Sequence, residues 1–318
     1  MNVVDVLPRD AIPPVYEPTY SAPERYDGDA GDDVVVVERD GAVRGYPIRY
    51  LSYHEVVDDE LGGTPIAVTW CPLCGSVLVF DRRVDGETLT FGVSGKLADD
   101  TLVLYDHETD SEWKQSLGRA IAGPHEGTEL DLLPSTVTTY ERLCDGYPDA
   151  DLLAPPGGAS ETASETDEPA EIDYDEAAFD DYFDGDGFGL GGRRSDVPQR
   201  SFPLDWIDPK AVVVGLEHDG EAVGVPRPTV EAAGGVVRVT VGGASVVVFA
   251  APDGTHAYHD PGFDWRLADG VARGDGLRWD PTTGVADGTD RRLSRFPAVR
   301  LFAYGWVDNH GTAAFYRE

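Results

Sequence analysis

The chain has 318 residues, 59 acidic against 25 basic, and a formal net charge of −34. Its length suits two domains or one large one, and suffices for a core that needs no covalent staples. The charge argues against a nucleic-acid partner, because phosphate binding needs a basic face.

The acid is spread along the whole chain, and lysine occurs only at Lys96, Lys114 and Lys210. That pattern is expected of an extreme halophile, whose cytoplasm holds molar salt; there the Debye length falls to about 3 Å and self-repulsion is screened. Met1 to Pro14 shows neither a basic nor an apolar leader region, and no apolar run approaches the roughly 20 residues of a membrane span. The expectation is a cytoplasmic protein with no membrane partner. Three cysteines in such a chain do not make a disulfide framework; they point to redox or metal chemistry.

Residues 1–33 form an arm rich in proline, tyrosine and acid, with no strand or helix period. A first β-rich lobe is expected over 34–153. It opens with a hairpin that turns at Asp40-Gly41 after the Val34–Val37 run. Ile48 to Leu61 carries Leu51, Val56, Val57 and Leu61 at helical spacing, includes His54 and Glu55, and is closed by Gly62-Gly63. Next comes Thr69-Trp70-Cys71-Pro72-Leu73-Cys74-Gly75-Ser76-Val77-Leu78-Val79-Phe80, a Cys-x-x-Cys between two β-branched flanks. The spacing predicts a hairpin with both sulfurs at its tip. A strand over Thr88–Phe91, a glycine-flanked bend at Phe91–Gly95, a strand over Leu102–Asp106 and a short helix at Tyr140–Leu143 follow. Residues 154–210 are an acidic linker, whose aromatics at Tyr174, Phe179, Tyr182, Phe183 and Phe188 imply partial packing.

A second β-rich lobe over 211–318 echoes the first. Asp219-Gly220 to Pro226 has the spacing of Asp40-Gly41 to Pro47, and Thr240–Phe249 matches Thr69–Phe80 with a shortened tip. Trp279-Asp280-Pro281-Thr282-Thr283 answers Tyr105-Asp106-His107-Glu108-Thr109. Self-similarity at an offset of roughly 170–180 residues predicts an internal duplication in which only the first copy keeps the cysteines. The expected fold is mainly β (α+β with short helices), in two related lobes.

Two soft nucleophiles one tight turn apart either exchange electrons or grip a metal. Cys74 is followed by strand-forming residues, so a helix-capped thioredoxin arrangement is not expected. One knuckle and three cysteines cannot supply four thiolates, but Cys71, Cys74 and His54 could hold zinc, and two thiolates alone could hold copper(I). His54 is either a helix residue bonded to a backbone carbonyl or a base for Cys71. Glu55, Trp70, Ser94 and Asp106 are candidates to line the site. The plainer readings are a core role for Trp70 and turn roles for Ser94 and Asp106. His256 and His259 near Asp260 are too loosely spaced to suggest a metal site alone, and Cys144 reads as an incidental thiol.

Tyr53-His54-Glu55-Val56, Trp70 to Ser76, Phe91 to Gly95, Tyr105 to Thr109 with Trp113 and Gln115, and Ala120 to Pro124 together resemble the uncharacterised family called DUF3179. The resemblance runs from Ala11-Ile12-Pro13-Pro14 through the Tyr174–Tyr182 segment to Pro209-Lys210, and departs at His107, where arginine would be expected. It implies no established activity. Family members described with selenocysteine in this motif would favour redox work. The expectations are, first, a thiol-disulfide oxidoreductase with an unknown redox partner or small molecule, Cys71 attacking by analogy with other Cys-x-x-Cys pairs, Cys74 resolving and His54 assisting. The others are a zinc or copper(I) module and a structural or interaction protein.

Overall fold

The computed structural model describes residues 1–164 and 168–317. Its first half begins with β1 (Val3–Asp5), then the hairpin β2 (Asp33–Arg39) and β3 (Ala42–Pro47). The β2–β3 turn has φ of 48° at Asp40 and 83° at Gly41, two left-handed residues that match the twist of a tight hairpin. Helix α1 (Ile48–His54) follows, and then β4 (Val56–Leu61), β5 (Thr64–Cys71) and β6 (Ser76–Asp81) form an antiparallel meander.

The helix predicted over 48–61 is therefore half helix and half strand. Glu55 takes the left-handed region at φ 58°, its N–H closing on Leu51 O. Val56 then pairs with Thr69 and Leu61 with Thr64. Val56 and Val57 are stiff at χ1 and pack better on a pleated surface than on a helix. The expected bend at Phe91–Gly95 is also a strand, the start of β7 (Phe91–Ala98), which pairs with β8 (Thr101–Asp106) across a register shift between Val93 and Leu97. Gly95 sits at that irregularity with φ 77°, and a Cβ there would lie 2.1 Å from Leu7 O. The arm passes at this point: Val6 and Leu7 donate to Gly95 O, and β1 pairs with β7. β9 (Glu112–Lys114) and β10 (Arg119–Ala122) complete that sheet in the order β1-β7-β8-β9-β10. β11 (Ser135–Thr139), α2 (Tyr140–Gly146) and β12 (Asp151–Leu153) close the half, β11 pairing with β2.

The acidic segment packs on this half and on the one that follows: Arg49 donates to Tyr174 O at 2.9 Å, and Arg200 pairs with Asp308 at 2.7 Å. The segment contributes α3 (Asp180–Asp184) and α4 (Gly189–Arg193), and buries Phe179, Tyr182 and Phe188 in the same cluster as Cys71, Leu73 and Phe302. The second half then runs β13 (Val212–His218), β14 (Glu221–Pro226), α5 (Arg227–Ala232), β15 (Val236–Val241), β16 (Ala244–Ala251) and β17 (Gly254–His259). Three short strands, β18 (Arg266–Ala268), β19 (Val271–Gly274) and β20 (Leu277–Trp279), lead to β21 (Ala298–Phe302) and α6 (Ala303–His310).

The order hairpin, helix, meander recurs in both halves, and in each a later strand lies beside the first: β11 on β2, β21 on β13. The connections recur too. Leu133 N donates to Val79 O at 2.8 Å, and Phe296 N to Ala257 O at 3.0 Å. Strand β21 also meets β6 at Arg300↔Val77, so one six-stranded sheet, β14-β13-β21-β6-β5-β4, runs through both halves. The second half consequently sits against the cysteine hairpin.

Candidate functional site

The thiols occupy the tip of the β5–β6 hairpin. Cys71 is the last residue of β5 and pairs with Ser76, the first of β6, leaving Pro72, Leu73, Cys74 and Gly75 as the turn. Gly75 has φ 57°, and its N–H donates to Pro72 O at 3.3 Å. The turn is held from three directions. Phe302 N donates to Cys74 O at 2.7 Å, Arg300 donates to Gly75 O at 2.9 Å, and the Tyr182 hydroxyl donates to Leu73 O at 2.5 Å. Two of these clamps come from β21 and the third from the acidic segment. All three cysteines are free thiols, and Cys71 and Cys74 are 1% and 0% exposed.

The two thiols have different surroundings. Burial pushes Cys71 well above its ordinary value of 9.0, and the bond to Cys74 adds to this by holding its proton. Burial acts the same way on Cys74, but hydrogen bonds from Cys71, the Ser76 hydroxyl and the Ser76 N–H outweigh it and bring that thiol below its ordinary value. Ser76 Oγ lies 3.0 Å from Cys74 Sγ and donates to Gln115 Oε1 at 2.6 Å. Gln115 Nε2 donates to Thr69 Oγ1 at 2.9 Å, and the Thr69 hydroxyl donates to Leu78 O at 2.9 Å. This relay fixes Ser76 beside the sulfur. Its single hydroxyl proton serves Gln115 while Cys74 is a thiol and can turn to the sulfur when Cys74 ionises.

Glu55 is close enough to Cys71 for the two to interact electrostatically. Its carboxyl is 8% exposed and held well above the usual 4.5 by burial, with the Cys71 and Glu161 charges adding to it. It lines a cavity of about 290 Å³ whose wall includes Pro72 and Leu73 of the turn.

The other residues singled out in the sequence are placed as follows. His54 Nδ1 is 2.8 Å from Pro13 O and Nε2 is 2.6 Å from the Tyr174 hydroxyl, so both ring nitrogens are engaged away from the thiols. Burial lowers its pKa. Trp70 is buried and donates to Ser52 Oγ at 3.2 Å. Ser94 donates to Val103 O at 2.6 Å. Asp106 anchors a turn through Thr109 N at 2.6 Å and Trp113 Nε1 at 2.9 Å. Among the described residues, no group of three or more His, Cys, Asp and Glu side chains is arranged to hold a metal ion.

The sequence reading missed Ser76, Gln115, Thr69 and Tyr182 as parts of the site. Ser76 and Gln115 do fall within the motif run, but nothing in their spacing says that they touch. Fold and site together define a mainly β protein of two similarly ordered halves, with a buried, clamped thiol pair at one hairpin tip. The chain belongs to the DUF3179 family, described as a protein of unknown function, whose family model matches residues 9–316. No curated protein and no solved structure matches it.

Proposed function

We propose that the protein is a thiol-disulfide oxidoreductase in which Cys74, rather than Cys71, attacks first. The observation that carries this reading is the asymmetry of the pair. Cys74 Sγ has the Ser76 hydroxyl at 3.0 Å and is shifted down, while burial shifts its neighbour Cys71 up and keeps it a thiol ready to resolve. In the step proposed, the Cys74 thiolate attacks one sulfur of a substrate disulfide and displaces the other as a thiolate. That leaving thiolate takes the Glu55 proton. Cys71 then passes its proton to Glu55 and attacks Cys74 in the mixed disulfide, releasing the second substrate thiolate, which is protonated from solvent. The Cys71–Cys74 pair loses two electrons and the substrate disulfide gains them. The thiols are closed in, so the reaction is gated by the Pro72–Gly75 turn lifting from Tyr182 and Phe302.

The test is acid trapping and mass mapping in oxidised and reduced glutathione at set ratios. The wild-type protein is expected to pass reversibly between dithiol and a Cys71–Cys74 disulfide. C71S is expected to stall as a mixed disulfide on Cys74, and C74S to form none at that pair. Thiols inert to glutathione in the natively folded protein would overturn the reading. Elemental analysis of the same sample separates it from retention of zinc or copper(I).

A further inference from the structure

The cavity beside the cysteine turn combines apolar walls with three cationic side chains. Ile12, Leu73, Leu97, Leu102, Phe179 and Leu190 supply the apolar surface. Among the described residues its charged groups are Lys96, Arg193 and Arg194 against Glu161 and Glu55, the latter's carboxyl pushed well above its usual value by burial. Lys96 is committed to Glu112 at 2.5 Å and Arg194 to Asp196 at 3.3 Å. Arg193 is different. It ends α4, its guanidinium lies over the Phe179 ring at 4.7 Å, and it makes no ion pair among the described residues.

In a chain with 59 acidic residues, a cation has little difficulty finding a carboxylate. Here the acidic segment instead folds so that one arginine lies over an aromatic ring in the lining of an apolar cavity, with no ion pair among the described residues. A guanidinium fixed on an aromatic face keeps its fork free for a planar carboxylate. We infer that this cavity binds a small organic acid, with the apolar body inside and the acid group on Arg193. The inference deepens the exchange reading, on which it rests only in that a disulfide substrate reaching the thiols behind Leu73 from this cavity would carry an acid group; binding itself requires no thiol chemistry.

Calorimetric titration with octanoate and with 1-octanol, at one fixed KCl concentration, tests it. The wild-type protein is expected to bind octanoate at one site, about tenfold or more tightly than 1-octanol, the difference made by one charge-assisted contact. R193Q, at an exposed position, is expected to lose that preference and bind both alike. L190W, which fills the cavity, is expected to bind neither, and its thermal melt and circular dichroism spectrum check that it folds. The double variant C71S/C74S is expected to bind octanoate as the wild type does. Equal affinity for acid and alcohol, unchanged octanoate binding in R193Q, or no binding of octanoate to the wild type would each overturn the inference. Reactive thiols without octanoate binding would remove this inference alone, and octanoate binding with inert thiols would remove the exchange reading alone.

Discussion

At the scale of single residues, the site depends on where three protons sit. Cys74 owes its lowered pKa to donors that outweigh burial, and Ser76 is the side chain among them with a fixed relay behind it. Ser76→Ala is expected to raise the Cys74 pKa by about one unit and slow its alkylation roughly tenfold at neutral pH. Peptide-resolved iodoacetamide labelling against pH, with the half-buried Cys144 as internal reference, checks this. Superimposable profiles would show that Ser76 does not set the thiolate. Glu55 gives the opposite dependence. Its folded pKa is raised above the ordinary 4.5, so between those two values the folded protein holds a proton that the unfolded chain releases. The contribution of the protonated acid is complete below pH 4.5 and declines as pH rises through the folded pKa. Glu55→Gln, which carries no titrating proton, is expected to match the wild type near pH 4. Above that it should gain on the wild type by up to about 1.4 kcal/mol per pH unit, as measured by denaturant unfolding across pH.

At the scale of elements, the hairpin tip and β21 are fitted to each other through Gly75. A Cβ there would lie 2.7 Å from the Phe302 ring, and the residue has φ 57°. Gly75→Ala is expected to cost roughly 2–4 kcal/mol, combining left-handed strain with overpacking. Adding Phe302→Ala should recover the overpacking part in a double-mutant cycle, and simple additivity would show that the two do not touch. The strands of this hairpin were legible because Ile66–Trp70 and Val77–Phe80 are β-branched and aromatic runs on either side of a proline-glycine turn. The end of α1 was not legible, since Leu51, Val56, Val57 and Leu61 satisfy a helical period by chance. What turns Glu55 left-handed is pairing with a distant strand: Trp70 N donates to Glu55 O at 2.8 Å. The thiol pair could likewise be read from its own spacing, but its polarity could not. Gln115 reaches Ser76 across 39 positions and Tyr182 reaches Leu73 across 109. His54, the nearest histidine in sequence, is spent on Pro13 and Tyr174.

At the scale of the whole molecule, the two halves repeat an order of elements without forming separate cores. The largest apolar cluster mixes Cys71, Leu73 and Trp113 with Val299, Phe302 and Trp306, and the six-stranded sheet passes from one half to the other through β21. Unfolding either half exposes the other's buried face, so denaturation is expected as one cooperative transition. Salt should move that transition strongly. With a formal charge of −34, folding brings carboxylates together, and their mutual repulsion falls as the Debye length shrinks from about 10 Å at 0.1 M to about 3 Å at 1 M. Surface ion pairs such as Arg278–Asp287 and Arg291–Asp275 weaken over the same range, but each is worth at most about 1 kcal/mol, whereas the repulsion is summed over the whole surface. The melting temperature is therefore expected to rise steeply between 0.1 and about 1 M KCl and then flatten, remaining a single transition by calorimetry and by near-UV circular dichroism. Two resolved transitions would show that the shared sheet does not couple the halves. A melting temperature that falls with KCl would show that the ion pairs, not the excess acid, dominate the electrostatics of this fold.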